Sequence, residues 1–357
     1  MQAIYAARRD RLRRAMRARG LDALLVSQAP NRFYLSGFEL HDPQCNESAG
    51  RLVITADGRD WLATDARYLD AAARLWDRDN IFIYGADAAG DLLGLLRRCG
   101  GRVGLEARGV SLAFARALSR YGSGPRLEAA DGLVEDLRRI KEPCEIAALE
   151  RSFALNHKLL HWVEGQLTPG KTESELSWAI ERFFRENGAS ELAFANIVAV
   201  GRNAALPHAI PGQDAVTENC PVLVDVGCRV DGYCSDQTRT FWVGDAPAPE
   251  FRRAMSLVRE AQEAALEKMR PGLPLAKAYA LARAVFEKAG VADAFTHGLG
   301  HGVGLETHEA PSLSPRAEGV LEPGMTVTVE PGLYYPAWGG VRWEYTVLVE
   351  EDGVRVL

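Results

Sequence analysis

The chain has 357 residues, 47% of them hydrophobic and 25% charged, with a formal net charge of -6. Such a length accommodates two domains with cores of their own. The acidic balance argues against a nucleic-acid partner, and no apolar stretch reaches membrane-spanning length.

The Arg-rich start (Arg8, Arg9, Arg11, Arg13, Arg14, Arg17, Arg19) lacks an apolar h-region, carries Asp10 and runs through Gly20 into a strand. It reads as the solvated face of an amphipathic helix over residues 1–20, not as a targeting peptide. The buried strand Leu21–Ser27 follows. Asn31–Phe38 (NRFYLSGF) is aromatic-rich with a Ser-Gly turn. Glu39–Gly50 is a polar loop whose His41, Asp42, Cys45 and Glu47 match no metal-ligand spacing, so it reads as a surface loop that shapes a substrate pocket. Strands then alternate with helices: Leu52–Thr55, Trp61–Thr64, a helix from Asp65 to Trp76, strand Ile81–Tyr84, a helix from Asp87 to Cys99, strand Arg102–Leu105 and helix Ser111–Arg120. This predicts an α/β layer of roughly 130 residues without a catalytic constellation. The six cysteines (Cys45, Cys99, Cys144, Cys220, Cys228, Cys234) form no C-x-x-C pair and read as reduced thiols of a cytoplasmic protein.

The join falls near Leu137–Glu142, which predicts domains over 1–137 and 138–357. Pro143 opens a helix that runs to Leu167. His157 and His161 lie four apart on it, but no glutamate follows His157, so both read as surface or packing histidines. Beyond this point the chain repeats itself. Pro169, Gly170, Phe184 and Gly188 recur as Pro271, Gly272, Phe286 and Gly290 at an offset of 102, bracketing amphipathic helices Glu173–Asn187 and Leu275–Ala289. At an offset of 105, VLVDVG (Val222–Gly227) lies over VTVEPG (Val327–Gly332) and places Asp225 on Glu330. A duplicated helix-plus-hairpin unit predicts an α+β domain built as a pseudo-twofold half-barrel, with acidic groups from both halves meeting on its axis.

In the first hairpin, strands Val222–Cys228 and Tyr233–Val243 flank Asp231-Gly232, a turn dipeptide. Asp225 and Asp236 face each other directly if the loop centres on Val230-Asp231, and are diagonal neighbours if Asp231-Gly232 is the centre. In both registers two carboxylates share one sheet face, a costly arrangement unless a cation lies between them. Asp225 also interrupts the apolar run Val-Leu-Val-Asp-Val, where a solvated charge is out of place. The repeat predicts that Glu330 and Glu344, the latter after a Gly339-Gly340 turn, mirror this pair. Between the hairpins runs THGLGHGVGLETHE, with His297, His301 and His308 around glycines that permit close backbone approach but do not make a dinucleotide fingerprint. His208 lies in the loop before the first hairpin. Two aspartates, two glutamates and one histidine make an oxygen-rich set for two divalent ions, with manganese leading and cobalt, zinc or iron as alternatives. Such a pair supports hydrolysis of an amide, and the remaining histidines can donate to the scissile carbonyl or the oxyanion.

VDVGCRVDGYCSDQTRTF, HGLGHGVGLETHE, VEPGLY and VRWEYTVLV, in that order, resemble the motif blocks of the pita-bread metallopeptidases, in the Xaa-Pro dipeptidase (prolidase) and aminopeptidase P branch. NRFYLSGF and TDARY resemble pieces of the creatinase-type N-terminal domain, so the resemblance spans nearly the whole chain. It implies metal ligands Asp225, Asp236, His301, Glu330 and Glu344, with Asp236 and Glu344 bridging and Glu330 also acting as general acid/base. It further implies that His208 and His308 contact the substrate carbonyl, that His297 lines a proline pocket, and that Tyr233 and Arg342 serve the substrate side. With all five ligand positions filled, the resemblance favours a metal-dependent peptidase over the family's non-metal creatinases. Arg316 in SPRAEGV either grips a dipeptide carboxylate or is an exposed loop residue. The expected activity is cleavage before a proline in second position, by a homodimer. The alternatives are an amidohydrolase acting on a small metabolite and a catalytically silent binding module.

Overall fold

The structure, a computed structural model, describes residues 2–42, 44, 47–120 and 124–357; Cys45 lies outside them. By contacts the chain divides into two compact units that meet between Arg138 and Arg139. No helix among the described residues is long and apolar enough to cross a membrane.

The first unit is built on a six-stranded sheet in the order Ile81–Ile83, Trp61–Thr64, Arg51–Thr55, Ala23–Val26, Arg102–Leu105, Arg126–Ala129. Ala23–Val26 lies at its centre, antiparallel to one neighbour and parallel to the other, and all four of its residues are buried. A strand buried on both faces reads as an unbroken apolar run, which is how ALLV is spelled. The edge strand Arg126–Ala129 (RLEA) escapes a reading for strands because it is charged, half-exposed and without a β-branched residue.

Two segments differ from the expectation. Asn31–Phe38 is not an aromatic turn but most of the helix Ala29–Ser36, with Pro30 in its first turn and Gly37 closing it at φ 75°. The helix expected from Asp65 to Trp76 contracts to a 3-10 turn, Ala66–Tyr68, and the short helix Leu69–Ala73. Arg32 on the first of these helices is fully buried. It donates to the backbone oxygens of Phe38, Glu39 and Gly50 and to Asp42, so the described part of the Glu39–Gly50 loop is folded around one guanidinium.

The second unit carries two copies of one plan. In the first, helices Pro143–Glu164 and Glu173–Glu186 cover a sheet in which Cys220–Val226 is paired by Ile197–Val200 and Gln237–Val243. In the second, helices Pro249–Leu266 and Leu275–Lys288 cover Thr326–Val329 and Tyr345–Val349, which continue into the ribbon Gly332–Tyr335 and Gly339–Arg342. Each half closes its own apolar core. Phe184 fills the first and Phe286 the second, both without exposure, as the offset between the helices requires. Capping boxes start both helices of the first half: Glu142 with Glu145, and Thr172 with Glu175.

The expected Gly339-Gly340 turn is a correction. Both glycines are strand residues paired with Tyr335 and Tyr334, and the chain reverses at Pro336–Trp338 instead. A Cβ on Gly339 would lie 2.5 Å from the carbonyl oxygen of Gly201, and one on Gly340 2.3 Å from that of Ala204. These glycines admit a neighbouring backbone, which a sequence shows in the same letters as a turn.

In the first unit, Glu106 is buried and accepts the backbone N–H groups of Ser27 and Gln28 and the amide of Asn31. Burial, against those hydrogen bonds, pushes its carboxyl up to about 7. The folded state therefore holds a proton that the unfolded chain releases near 4.5. Stability is full below the unfolded value and is lost as pH rises toward 7, by about 3 kcal/mol if nothing compensates. We expect the urea midpoint to fall between pH 5 and pH 8, and Glu106→Gln to remove most of that fall. An identical fall in the variant would show that another group is responsible.

Candidate metal centre

The first hairpin resolves into the diagonal register. Asp231 and Gly232 have φ 51° and 86°, the left-handed pair of a two-residue turn, with Val230 opposite Tyr233. Along the same register Asp225 pairs with Thr238, so Asp236 is its diagonal neighbour on the same face. The second hairpin is not a strict mirror. Its register pairs Val329 with Tyr345 and Gly332 with Arg342, which sets Glu330 directly opposite Glu344.

These carboxylates converge in one interior. Asp225, Asp236 and Glu344 are buried, and each offers an oxygen within 4.8 Å of the others; Asp236, His301 and His308 form a second such group. His301 Nε2 lies 3.3 Å from Glu330 Oε1 and 3.7 Å from Asp236 Oδ2. Its Nδ1 donates to the Gly302 carbonyl, so Nε2 is the nitrogen turned toward the carboxylates: protonated it donates to Glu330, and deprotonated it has a lone pair for a metal ion.

One cation is built in. Arg342, buried, donates to Asp225 Oδ2 at 2.7 Å, to Thr238 Oγ1 and Tyr334 Oη at 3.0 Å, and to the Pro207 carbonyl at 3.1 Å. Against four carboxylates that is too little. Burial first, then the charges of Glu344, Asp225 and Glu330, hold the Asp236 carboxyl well above its ordinary range. Burial and then Glu330 and Asp225 do the same to Glu344. Burial also raises Asp225, with Arg342 opposing it. Glu330 goes the other way: burial would raise it, but the hydrogen bond and charge of His301, with His297 and Arg342 behind it, carry it down to about 2.

Asp225 Oδ1 and Glu344 Oε1 are buried with no hydrogen-bond partner. Orphaned carboxylate oxygens, surplus negative charge and an imidazole Nε2 turned toward them fit divalent cations of the harder kind. The residues that could hold them are Asp225, Asp236, His301, Glu330 and Glu344.

A cavity of about 630 Å³ opens on this cluster, lined by Asp225, Asp236, His301, Glu330 and Arg342 and also by His208, His297 and His308. His308 stands against His301 with ring centroids 3.9 Å apart. Both nitrogens of His297 are spent, Nδ1 on the Gly298 carbonyl at 2.7 Å and Nε2 on Tyr334 Oη at 2.8 Å. Burial lowers its pKa, which favours the neutral ring. The loop with His208 is held by Glu173, a fully buried carboxylate that accepts the N–H groups of Val200 and Gly212 and the amide of Asn203.

Tyr233 stands apart from this gathering. It is not among the described residues lining the cavity, and its hydroxyl is 3.0 Å from Glu145 Oε1, so its place is in the packing of the helix against the hairpin. Arg316 is exposed on a turn and does not line the cavity either. Sequence reasoning overlooked Tyr334 and Thr238. Thr238 carried a signal, since strand alternation from Asp236 puts it on the ligand face, where its hydroxyl donates to Glu344 Oε2 at 2.9 Å. Tyr334, next to Tyr335 in the same ribbon, carried none.

The model of metallopeptidase family M24 matches residues 147–351, and that of the creatinase/prolidase N-terminal domain matches residues 8–140. A Xaa-Pro dipeptidase of Pyrococcus horikoshii is 31% identical over 94% of this chain and 92% of its own length. Among solved structures, a Xaa-Pro dipeptidase from Bacillus anthracis superposes with a TM-score of 0.91 at 32% identity, over 99% of this chain and 97% of its own. An X-Pro aminopeptidase from Thermotoga maritima does so with a TM-score of 0.84 at 30% identity, over 96% and 97%. The architecture expected from the sequence, a creatinase-type α/β domain followed by a pita-bread catalytic domain, is thereby borne out.

Removing one carboxylate should have opposite effects with and without metal. We expect Asp236→Asn to raise the melting temperature of metal-stripped protein, by relieving repulsion. It should also abolish most of the gain on adding manganese, which for the parent is about 3 kcal/mol at a hundredfold excess over Kd. Equal manganese gains in both proteins would remove Asp236 from the ligand set.

Proposed function

This chain belongs to metallopeptidase family M24, and we propose that it hydrolyses the peptide bond between an N-terminal residue and a following proline. The reading is carried by the convergence of three buried carboxylates, the half-buried Glu330 and His301 Nε2 beside a cavity that three further histidines line, in a chain whose named relatives act on Xaa-Pro substrates. Two divalent ions, manganese by preference, would be held by Asp225, Asp236, His301, Glu330 and Glu344, and when bound they would supply an activated water and polarise the scissile carbonyl.

The side chains account for the remainder. Glu330 takes a proton from the attacking water and returns it to the departing proline nitrogen. His208 and His308 donate to the carbonyl oxygen as it gains charge. Arg342 orients Asp225 and, through Tyr334, His297. With both nitrogens occupied, His297 offers a saturated pyrrolidine ring an apolar ring face and no competing donor. Residues 138–357 would form the catalytic domain and 1–137 an N-terminal domain that supports a homodimer. The described thiols Cys99, Cys220, Cys228 and Cys234, none in a disulfide, suit a reducing, cytoplasmic setting.

Metal-stripped protein reloaded with manganese should cleave Ala-Pro or an Ala-Pro-initiated peptide and leave the Ala-Ala counterparts nearly untouched. Two bound metals without cleavage of any proline bond would remove the reading. In His308→Ala we expect kcat to fall by about 10²–10³-fold with metal stoichiometry unchanged. A change confined to KM would make His308 a binding residue only.

A further inference from the structure

Lys141 is the one lysine buried among the described residues, and it is paired with Glu309. The two side chains are 1% and 7% exposed, with Nζ 2.7 Å from Oε1. A buried ion pair gains little over apolar side chains of the same volume, so stability alone does not call for this one. Its place in the chain gives it a different use, because Glu309 directly follows His308.

Lys141 acts from fixed backbone. Its N–H donates to the Gly324 carbonyl at 2.8 Å, and the next residue, Glu142, caps the helix Pro143–Glu164 in its capping box with Glu145. Glu309 reaches back over the turn that joins His301 to His308. It pairs with Gly302, whose carbonyl accepts from His301 Nδ1, at a shift in the strand register. Its carboxylate lies against Gly304, in the space a side chain there would fill, and Oε2 accepts the Glu306 N–H at 3.4 Å. On the far side the turn is fastened to the first half. The Cys234 N–H donates to the Gly304 carbonyl at 2.8 Å, Arg229 to that of Leu305 at 2.6 Å, and Thr307 Oγ1 to that of Ala193 at 3.1 Å. His308 sits between these fixed points and Glu309. Its ring has no hydrogen-bond partner among the described residues and rests edge-on against His301. The ring is therefore aimed by its backbone, and Glu309 is the next anchor along the chain.

We propose that Lys141, through Glu309, is a positioning residue for His308: the buried ion pair sets the backbone from which that imidazole meets the substrate carbonyl. This rests on the Xaa-Pro reading for what His308 does, and deepens it by naming what aims the ring. Glu309 leaves the chain toward Lys141 and His308 toward the cavity, so a backbone shift that frees the first swings the second. A displacement of about 1 Å at such a group costs up to about a hundredfold in rate.

The test uses the manganese-loaded full chain, the charge-free pair K141M/E309Q, His308→Ala, and all three substitutions combined. K141M/E309Q removes both charges together, so no buried ion is left unpaired and the melting temperature should stay near that of the parent. We expect kcat on Ala-Pro or an Ala-Pro-initiated peptide to fall by about tenfold to a hundredfold, with KM and manganese stoichiometry unchanged. In the His308→Ala background the same two substitutions should cost less than about twofold, because the residue they serve is gone. If K141M/E309Q does not fold, Lys141→Arg, which keeps the charge and moves its end, takes its place in the same cycle. An equal loss in both backgrounds, or full kcat in K141M/E309Q, overturns the proposal and leaves the Xaa-Pro reading intact. A parent that binds two metals and cleaves no proline bond removes that reading, and the ion pair is then judged by spectroscopy. In zinc-loaded protein the ring 1H–15N signals of His308 should move in K141M/E309Q while those of His297 stay. Unmoved His308 signals overturn the proposal there as well.

Discussion

Three buried carboxylates and a fourth, Glu330, on the cavity wall gather around the guanidinium of Arg342, and the catalytic unit is arranged around that imbalance. Unpaired charge taken out of bulk solvent is expensive. The fold answers with two hairpins that bring the acids together, and with an arginine and two threonines that satisfy part of Asp225, Glu344 and Glu330. Thr238 is the clearest case. It donates to Glu344 and accepts from Arg342, so one hydroxyl links an acid to the buried guanidinium.

The surroundings keep this geometry from relaxing. Each half has a closed apolar core beneath its hairpin, so neither pair of acids can separate without opening packed Phe, Leu and Val side chains. Glu173 ties the loop that carries His208 to the start of a helix. His297 is fixed by a relay in which Arg342 donates to Tyr334 and Tyr334 to the ring. Histidines of the cavity lining are therefore fixed by neighbouring side chains, Glu173 behind the His208 loop and Tyr334 beside His297.

Much of this was legible in the letters, for identifiable reasons. Asp225 showed itself because an acid inside an apolar strand contradicts its neighbours, and Glu330 because the same pattern recurs at a constant offset. Asp231-Gly232 named its turn, and φ settled which of two registers followed. The failures are as specific. Gly339-Gly340 spelled a turn but serves a backbone crossing, because a glycine records the absence of a side chain and not what takes its space. The helix Ala29–Ser36 was hidden behind its proline and aromatics, and Arg126–Ala129 behind its charges. Tyr233 and Tyr334 are the same residue in similar ribbons, yet one hydroxyl meets a helix glutamate and the other the catalytic cavity's arginine and histidine. Only tertiary placement separates them.

The contacts between Thr238, Thr240, Arg239 and the segment Arg342–Glu344 run along the seam of the two halves. The group of buried carboxylates takes Asp225 and Asp236 from one half and Glu344 from the other, so it exists only once both halves have folded and the seam between them is closed.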